Sequence, residues 1–131
     1  MNFQSTPKAI EISTLAVIRD GRMLLVRKEG LESFILPGGK IEKYESLEDA
    51  VRREVLEEIG CQITGLKYAG VFKDQAAGST VDVIVHVYTG ELESEPCAQA
   101  EICEIFWCSI TGPEVPIAPS LERQIFAHFQ K

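Results

Sequence analysis

The sequence predicts an α/β protein in which a mixed β-sheet is packed between helices. Two observations predict this class: segments of strand character stand on both sides of one central helical segment, and a second helical segment closes the chain. The chain has 131 residues, of which 45% are hydrophobic and 25% charged, and these values are typical of one folded domain. We therefore expect a single domain over residues 1–131.

The first part of the chain predicts a β-hairpin and a short strand. Residues 10–18 are apolar and rich in β-branched side chains, Asp20-Gly21 is a tight-turn signal, and residues 22–28 resume the apolar pattern. A short apolar stretch at 34–36 is stopped by Pro37-Gly38-Gly39. The expected structure is a hairpin followed by a glycine-containing turn.

A helix is predicted between Ser46 and Gly60. Ser46 is a suitable N-cap, and a glycine such as Gly60 often follows the last helical residue. Apolar residues recur every four positions and form a stripe that faces the core, namely Leu47, Val51, Val55 and Ile59.

The second half of the chain predicts three strands and a final helix. The strands are expected at 63–72, 81–88 and 104–110, and a loop at 75–79 joins the first two. An irregular connection over 113–119 leads to a helix over 120–130, whose apolar face carries Leu121, Ile125 and Phe129.

Charge limits the partners that the protein can have. The 20 acidic and 13 basic residues give a formal net charge of −7, which is unfavourable for nucleic-acid polymers and anionic membranes. A small phosphorylated ligand can still bind if a divalent cation lies between it and the protein. The sequence shows neither a signal-peptide pattern nor an apolar run of membrane-helix length, so we expect a cytoplasmic protein.

The cysteines do not form a recognisable metal motif. The chain has four cysteines, Cys61, Cys97, Cys103 and Cys108, and no two of them are spaced as CxxC. Only two histidines are present to complete a zinc site. Free thiols are the expected state. A zinc or redox protein built on these cysteines is the alternative.

Three carboxylates in the predicted helix form the candidate site. Glu54, Glu57 and Glu58 stand at i, i+3 and i+4, so they fall within an arc of roughly 100° on one helix face. Like charges at this spacing repel by a few tenths of a kcal/mol per pair, and a hard divalent cation removes that repulsion. From the spacing alone, a solvated acidic face is the more common explanation. Gly38 and Gly39 likewise suit either phosphate binding through backbone N–H groups or an ordinary turn.

Taken together, residues 39–61 resemble the Nudix box. Every fixed letter of that pattern is present, namely Gly39, Glu45, Arg53, Glu54, Glu57, Glu58 and Gly60. Val55 fills the first aliphatic position of the box, and Cys61 stands in the second, a small apolar departure. Outside the box, Glu104-x-x-Trp107 is similar to family context, and Phe34 stands where relatives often carry tryptophan.

The resemblance implies the Nudix fold, an α/β/α sandwich with a mixed sheet. It also implies a pyrophosphohydrolase that uses one or more Mg²⁺ or Mn²⁺ ions. Such an enzyme cleaves a phosphoanhydride bond in a nucleoside triphosphate or in a nucleoside diphosphate linked to another moiety. Family signals for ADP-ribose or dinucleoside polyphosphates are missing beyond the box, and the substrate stays open. Dimers are frequent in this family, so the resemblance also implies that the protein could form a homodimer.

Carried over by position, the box gives each residue an expected role. Glu54, Glu57 and Glu58 would be metal ligands, one of them polarising the attacking water, while Arg53 and Glu45 would be structural partners. A further acid outside the box often serves in this family, and the candidates are Glu101 and Glu104, although each is more typical of an ordinary surface or structural carboxylate.

Substrate contacts are expected from Gly38, Gly39, Arg27 and His86. For His86, packing under a helix is the alternative to lining the cleft. For the whole chain, the alternative to an enzyme is a non-catalytic nucleotide-binding or regulatory module on the same fold. The complete set of box acids argues against that module, because loss of an acid would be its expected mark.

Overall fold

The computed structural model describes residues 9–130, and two β-sheets form its centre. The strands are β1 (Ile10–Ala16), β2 (Ile18–Arg19), β3 (Arg22–Lys28), β4 (Gly38–Lys40), β5 (Ile63–Gln75), β6 (Asp82–Leu92) and β7 (Ile102–Ser109). The helical elements are α1 (Leu47–Ile59), a π-helical segment (Leu121–Ile125) and α2 (Phe126–Phe129). Residues 1–8 and 131, which the single-domain prediction also covers, lie outside the described part of the chain.

The predicted mixed sheet is present, and a second sheet accompanies it. The four-stranded sheet has the order β4-β1-β6-β5, in which β1 and β6 are parallel and the other pairs antiparallel. The three-stranded sheet has the order β2-β3-β7 and is antiparallel throughout. The apolar stretch at 10–18, expected as one strand, divides between the two sheets at Val17.

The hairpin at Asp20-Gly21 is confirmed. Both residues have positive φ, 51° and 73°, and the flanking strands pair Arg19 with Arg22. Two consecutive residues with positive φ are what a type I′ turn requires, and its twist matches that of the strands on either side.

Two apolar cores lie on opposite faces of the sheets. Alternate residues of β1 and β3 point to α1, among them Leu15, Leu24 and Val26, and they meet Val51, Val55 and Ile59 of the helix. The intervening residues, among them Ala16, Met23 and Leu25, face the C-terminal helical elements and meet Leu121, Ile125 and Phe126. Burying each large aliphatic side chain contributes about 1.5–3 kcal/mol, so this alternation fixes helices on both faces.

Helix α1 begins and ends where the sequence predicts. Ser46 Oγ accepts a hydrogen bond from the Asp49 N–H at 3.0 Å, and Gly60 adopts the left-handed conformation with φ 70°. Val51, Val55 and Ile59 are fully buried, whereas Leu47 is only partly buried.

Several element bounds differ from the prediction. Gly38–Lys40 is a strand paired with β1 and not a plain turn, and β5 and β6 extend to Gln75 and Leu92. Strand β7 starts at Ile102, so Glu104 lies within it. These differences share one cause: cross-strand partners distant in sequence extend strands beyond what local propensity indicates.

All four cysteines are free, with Cys61 and Cys108 buried and Cys97 and Cys103 exposed. None of the helices within residues 9–130 combines the length and apolarity that crossing a bilayer requires.

Candidate active site

The three box carboxylates lie on α1 with very different exposure. The Glu57 side chain is 55% exposed, that of Glu54 is 15% exposed and that of Glu58 only 1%. The acidic residues lie next to the apolar face of the helix, so their side chains become progressively more buried from Glu57 to Glu54 to Glu58. The stripe therefore lies along the edge between helix and sheet, as its helical spacing predicts.

Arg53 connects α1 to the loop that precedes it. Its Nε and Nη2 donate to the two Glu45 oxygens at 2.7 and 2.9 Å, and Nη2 also donates to the Lys40 carbonyl at 3.1 Å. The bidentate guanidinium lowers the pKa of Glu45 to about 2, and the same hydrogen bonds raise the pKa of Arg53. The structure thus brings Arg53 and Glu45 together, as the resemblance to the Nudix box implies.

The same guanidinium reaches two of the candidate ligands. Arg53 Nη1 lies 3.1 Å from Glu54 Oε2 and 3.5 Å from Glu57 Oε2. A single cation therefore offsets the repulsion among neighbouring carboxylates on this face.

The two glycines bring β4 against the helix carboxylates. The Gly38 N–H donates to Glu58 Oε1 at 3.0 Å, and Gly38 has a φ of 144° that residues with side chains rarely adopt. A Cβ at Gly39 would lie 2.5 Å from the carboxyl carbon of Glu54. Gly38 is required because of its φ and because a Cβ there would meet the Ser13 carbonyl oxygen and Thr14 of β1, whereas a Cβ at Gly39 would displace the Glu54 carboxylate. The Gly38 N–H, expected to face phosphate, is directed at Glu58 here.

Glu58 is the most unusual group in the site. Its Oε2 is buried without a hydrogen-bond partner, and its nearest cation, Lys28 Nζ, lies 3.7 Å away. Burial raises the pKa of Glu58 to about 7, although the Gly38 hydrogen bond and Lys28 act in the opposite direction. An unsatisfied buried carboxylate oxygen is rare in folded proteins, and carboxylates with strongly shifted pKa values cluster at functional sites.

The donors fit a hard divalent cation in their chemistry. All three side chains offer oxygen, and the partnerless oxygen of Glu58 is one that a cation would satisfy. As the side chains stand, no three His, Cys, Asp or Glu residues within 9–130 are grouped closely enough to enclose an ion. Glu54 is turned to Arg53 and Glu58 to Gly38, so the three carboxylates do not converge on one point.

The two candidates for a fourth acid differ in position. Glu101 Oε1 lies 3.8 Å from Lys28 Nζ, and the Glu101 carbonyl accepts a hydrogen bond from the Glu29 N–H at 2.8 Å. Glu104 pairs with Arg27 at 3.1 Å on the exposed surface of β7. The structure therefore brings Glu101, and not Glu104, to the neighbourhood of Glu58.

An apolar pocket of about 170 Å³ opens beside these acids, between the four-stranded sheet and the C-terminal helical elements. Its walls are mostly aliphatic, and its polar members are Thr14, Lys28, Gln75 and Ser120. Lys28 belongs both to this lining and to the surroundings of Glu58. The pocket and the acids are therefore separated by about one side chain.

Arg27 and His86, predicted as substrate contacts, lie outside the pocket lining. Arg27 pairs with Glu104 and donates to the Leu31 carbonyl at 3.1 Å. His86 bonds through Nδ1 to the Tyr68 hydroxyl at 2.9 Å and through Nε2 to Glu11. Lys28, adjacent to Arg27, was missed as a site residue, although it lines the pocket and lies 3.7 Å from Glu58.

Comparison of the sequence with known proteins gives a consistent result. The family model for the NUDIX domain matches residues 10–129. A CTP pyrophosphohydrolase of Escherichia coli is 31% identical over 123 residues, which cover 86% of each protein. An oxidized purine nucleoside triphosphate hydrolase of Danio rerio is 33% identical over 95 residues, covering 70% of this chain and 61% of that protein.

Comparison of structures agrees. The crystal structure of a MutT protein from Methanosarcina mazei Go1 matches with a TM-score of 0.76 and 29% identity, over 95% of this chain and 96% of that one. The chain spans 54%, 46% and 61% of the lengths of three curated relatives that it matches, one of them the Danio rerio hydrolase.

Proposed function

This chain belongs to the NUDIX family, and on that premise we propose that it is a magnesium-dependent pyrophosphohydrolase. Its substrate would be a nucleoside triphosphate, or a nucleoside diphosphate linked to another moiety. One observation carries the proposal: the box acids lie along the edge of α1 against Gly38 and Gly39, and one buried oxygen of Glu58 has no partner.

In this proposal Glu54, Glu57 and Glu58 hold a divalent cation, Mg²⁺ or Mn²⁺, with Glu101 as the nearby fourth acid. When bound, such a cation would neutralise charge on the phosphates and lower the pKa of a water molecule. The reaction adds water across the P–O–P bridge, so that one phosphorus gains an oxygen, the bridging oxygen leaves with the other, and a proton is released. One of the box carboxylates orients the attacking water.

The chain's own residues supply positioning. Arg53 holds Glu45, Glu54 and the Lys40 carbonyl at once, so the loop and helix keep a fixed separation. Fixed donors and acceptors around the reacting atoms require no rearrangement during the reaction, and this preorganisation is a large part of catalysis in phosphoryl transfer.

The apolar pocket is the proposed site for the organic part of the substrate. It opens beside Lys28, which is 3.7 Å from Glu58, so a ring in the pocket would carry its phosphates toward the acids. The E. coli and Danio rerio relatives are described as acting on CTP and on oxidized purine nucleoside triphosphates. Nucleoside triphosphates, normal and oxidized, are therefore the first substrates to test.

The proposal is tested by release of phosphate, pyrophosphate and nucleotide from a panel of compounds with Mg²⁺, with Mn²⁺ and with chelator. The panel contains CTP, the other nucleoside triphosphates, 8-oxo-dGTP, nucleotide sugars, dinucleoside polyphosphates and ADP-ribose. Metal-dependent release from at least one compound is expected, and Glu57→Gln is expected to abolish it.

Glu48→Gln is the matched control for Glu57→Gln. Glu48 lies on the same helix with a 57% exposed side chain, but its cationic partner is Arg52 and not Arg53. Full activity of Glu57→Gln, or hydrolysis that persists in chelator, would reject the metal assignment. Tight nucleotide binding without any hydrolysis would favour the alternative of a non-catalytic binding module.

A further inference from the structure

Lys28 occupies the boundary between the apolar pocket and the acidic site. Alternation along β3 places Lys28 on the same side as Leu24 and Val26, toward α1, and its Nζ lies 3.7 Å from Glu58 of that helix. The pairing of β3 with β7 shifts between Arg27 and Lys28, because Arg27 faces Glu104 and Lys28 faces Ile102. Cys103 is thus an extra residue in β7. The bulge therefore lies in β7, opposite Lys28, and bulges are common next to functional sites.

The ammonium group of Lys28 makes ion pairs that are longer than hydrogen bonds. Its Nζ lies 3.7 Å from Glu58 Oε2 and 3.8 Å from Glu101 Oε1, and its side chain is 30% exposed. Donor–acceptor separations beyond about 3.5 Å leave the N–H donors without a true hydrogen bond. Lys28 therefore has donors that a ligand could engage.

Within residues 9–130, Lys28 is the one charged residue that an anionic ligand in this pocket would meet. Among its lining residues only Lys28 is charged, and the remainder are aliphatic side chains together with Thr14, Gln75 and Ser120. At about 170 Å³ the pocket is smaller than the roughly 300–1,000 Å³ typical of sites that enclose a whole small ligand. A ring can enter it, whereas the charged part of the same molecule must lie at its edge, where Lys28 stands.

We propose that Lys28 binds the phosphate group adjacent to the organic moiety in the pocket and so positions the phosphoanhydride chain toward Glu54, Glu57 and Glu58. The inference rests on the proposed function, since it takes a nucleotide as the ligand. Glu58 and Glu101 hold the ammonium at the pocket edge before the ligand arrives. Lys28 is thus a substrate-binding residue that determines where the scissile bond lies.

The test compares nucleotides with nucleosides in the presence of chelator, so that no cation contributes. Isothermal titration measures the binding of the common 5′-monophosphates, 8-oxo-dGMP and the matching nucleosides to wild-type protein, Lys28→Gln and Lys28→Arg. Lys28→Gln is expected to lower monophosphate affinity about tenfold or more, because a charge-assisted hydrogen bond is lost. Nucleoside affinity is expected to stay within about twofold, and Lys28→Arg is expected to restore part of the loss.

Lys73→Gln is the matched control. It removes the same charge from β5, where Lys73 is 64% exposed, pairs with Asp82 at 3.9 Å and does not line the pocket. Arg27→Gln examines the neighbour that the sequence predicted instead. Equal losses for nucleoside and nucleotide in Lys28→Gln, or a selective nucleotide loss in Arg27→Gln alone, would overturn the inference.

A second measurement uses wild-type protein and does not depend on the folding of a variant. Acetylation followed by mass spectrometry should show that a bound monophosphate protects Lys28, that the nucleoside does not, and that Lys73 reacts equally in all samples. Equal labelling of Lys28 with and without nucleotide would reject the inference. If the hydrolysis panel is positive while Lys28 is unprotected, the proposed function stands and this inference fails. If the panel is negative while protection is seen, only the hydrolase proposal fails.

Discussion

Two carboxylates of the box, Glu45 and Glu58, each face a cationic side chain and respond in opposite ways. Glu45 shares two short hydrogen bonds with Arg53, and its pKa falls to about 2. Glu58 is buried, has Lys28 only at 3.7 Å, and its pKa rises to about 7. Geometry and solvation thus decide the direction of each pKa shift. The Glu58–Lys28 ion pair is too long to offset the loss of hydration that burial causes. The Glu45–Arg53 pair stabilises the junction between loop and helix. Burial of the Glu58 carboxylate beside Lys28 instead lowers the stability of the fold.

The largest expected effect separates catalysis from stability at Glu58. Glu58→Gln should lower turnover by about two orders of magnitude or more, because a cation ligand is lost. The metal-free variant should nevertheless unfold at a higher temperature than wild type at pH 8, since an amide has no charge to bury. Steady-state kinetics and thermal melts in chelator measure the two quantities. A variant that is inactive and also less stable at pH 8 would contradict the contrast between the two acids.

Arg53→Ala should lower both turnover and stability. The substitution leaves Glu45 and Glu54 without their guanidinium and frees the Lys40 carbonyl, so the loop loses its connection to α1. Displacement of the acids by even about 1 Å is expected to lower turnover roughly a hundredfold. Arg52→Ala is the control, because Arg52 contacts Glu48 and the Ile63 carbonyl, away from the box acids. Unchanged thermal stability of Arg53→Ala would show that Glu45 is not a structural partner.

Gly39→Ala tests whether the contact between β4 and α1 sets the position of the Glu54 carboxylate. The added methyl group would lie 2.5 Å from the Glu54 carboxyl carbon, which is the end of a flexible side chain. The fold should therefore tolerate the change while Glu54 moves, and turnover should fall about tenfold or more at nearly constant melting temperature. Crystal or NMR analysis of Glu54 identifies the movement. A fully active Gly39→Ala would show that the position of Glu54 is unimportant.

The pH dependence of stability should carry opposite signs for the two acids. The pKa of Glu58 is raised from 4.5 to about 7, so the folded protein binds more protons than the unfolded chain between these values. Its contribution to stability then falls as pH rises from about 4.5 to 7, by about 3 kcal/mol at most. The pKa of Glu45 is lowered to about 2, so its contribution is lost as pH falls from 4.5 toward 2.

Denaturant titrations of metal-free protein between pH 3 and 8 measure this profile. Glu58→Gln should remove the decline above pH 4.5 and leave the acid limb, whereas Glu45→Gln should weaken the acid limb. Identical profiles for wild type and Glu58→Gln would show that Glu58 has an ordinary pKa.

The features that the sequence predicts well are local ones. Helix α1 follows from a cap at Ser46, an apolar stripe and Gly60, all within one segment, whereas the contact of Arg53 with Glu45 was implied by the resemblance to the Nudix box. The face shared by Glu54, Glu57 and Glu58 follows from helical geometry alone. The expected homodimer and cytoplasmic location stay predictions.

The features that were missed depend on contacts between distant segments. Strand β4 forms because β1 supplies partners to Gly38–Lys40. Which of Glu101 and Glu104 lies near Glu58 depends on how β7 pairs with β3, where the register shifts by one residue between Arg27 and Lys28. A shift of one position exchanges the faces of a strand, and no local pattern encodes it.

The parallel pairing of β1 with β6 has a consequence for the order of folding. Residues about 73 positions apart, such as Ile10 and Val83, must meet before the sheet exists, whereas Gly38 and Glu58 are 20 positions apart. Closing the longer loop costs more chain entropy, and folds rich in such distant pairs form slowly. During refolding, helical signal from α1 should therefore recover ahead of the ability to bind a nucleotide, because the pocket needs strands from both ends of that loop.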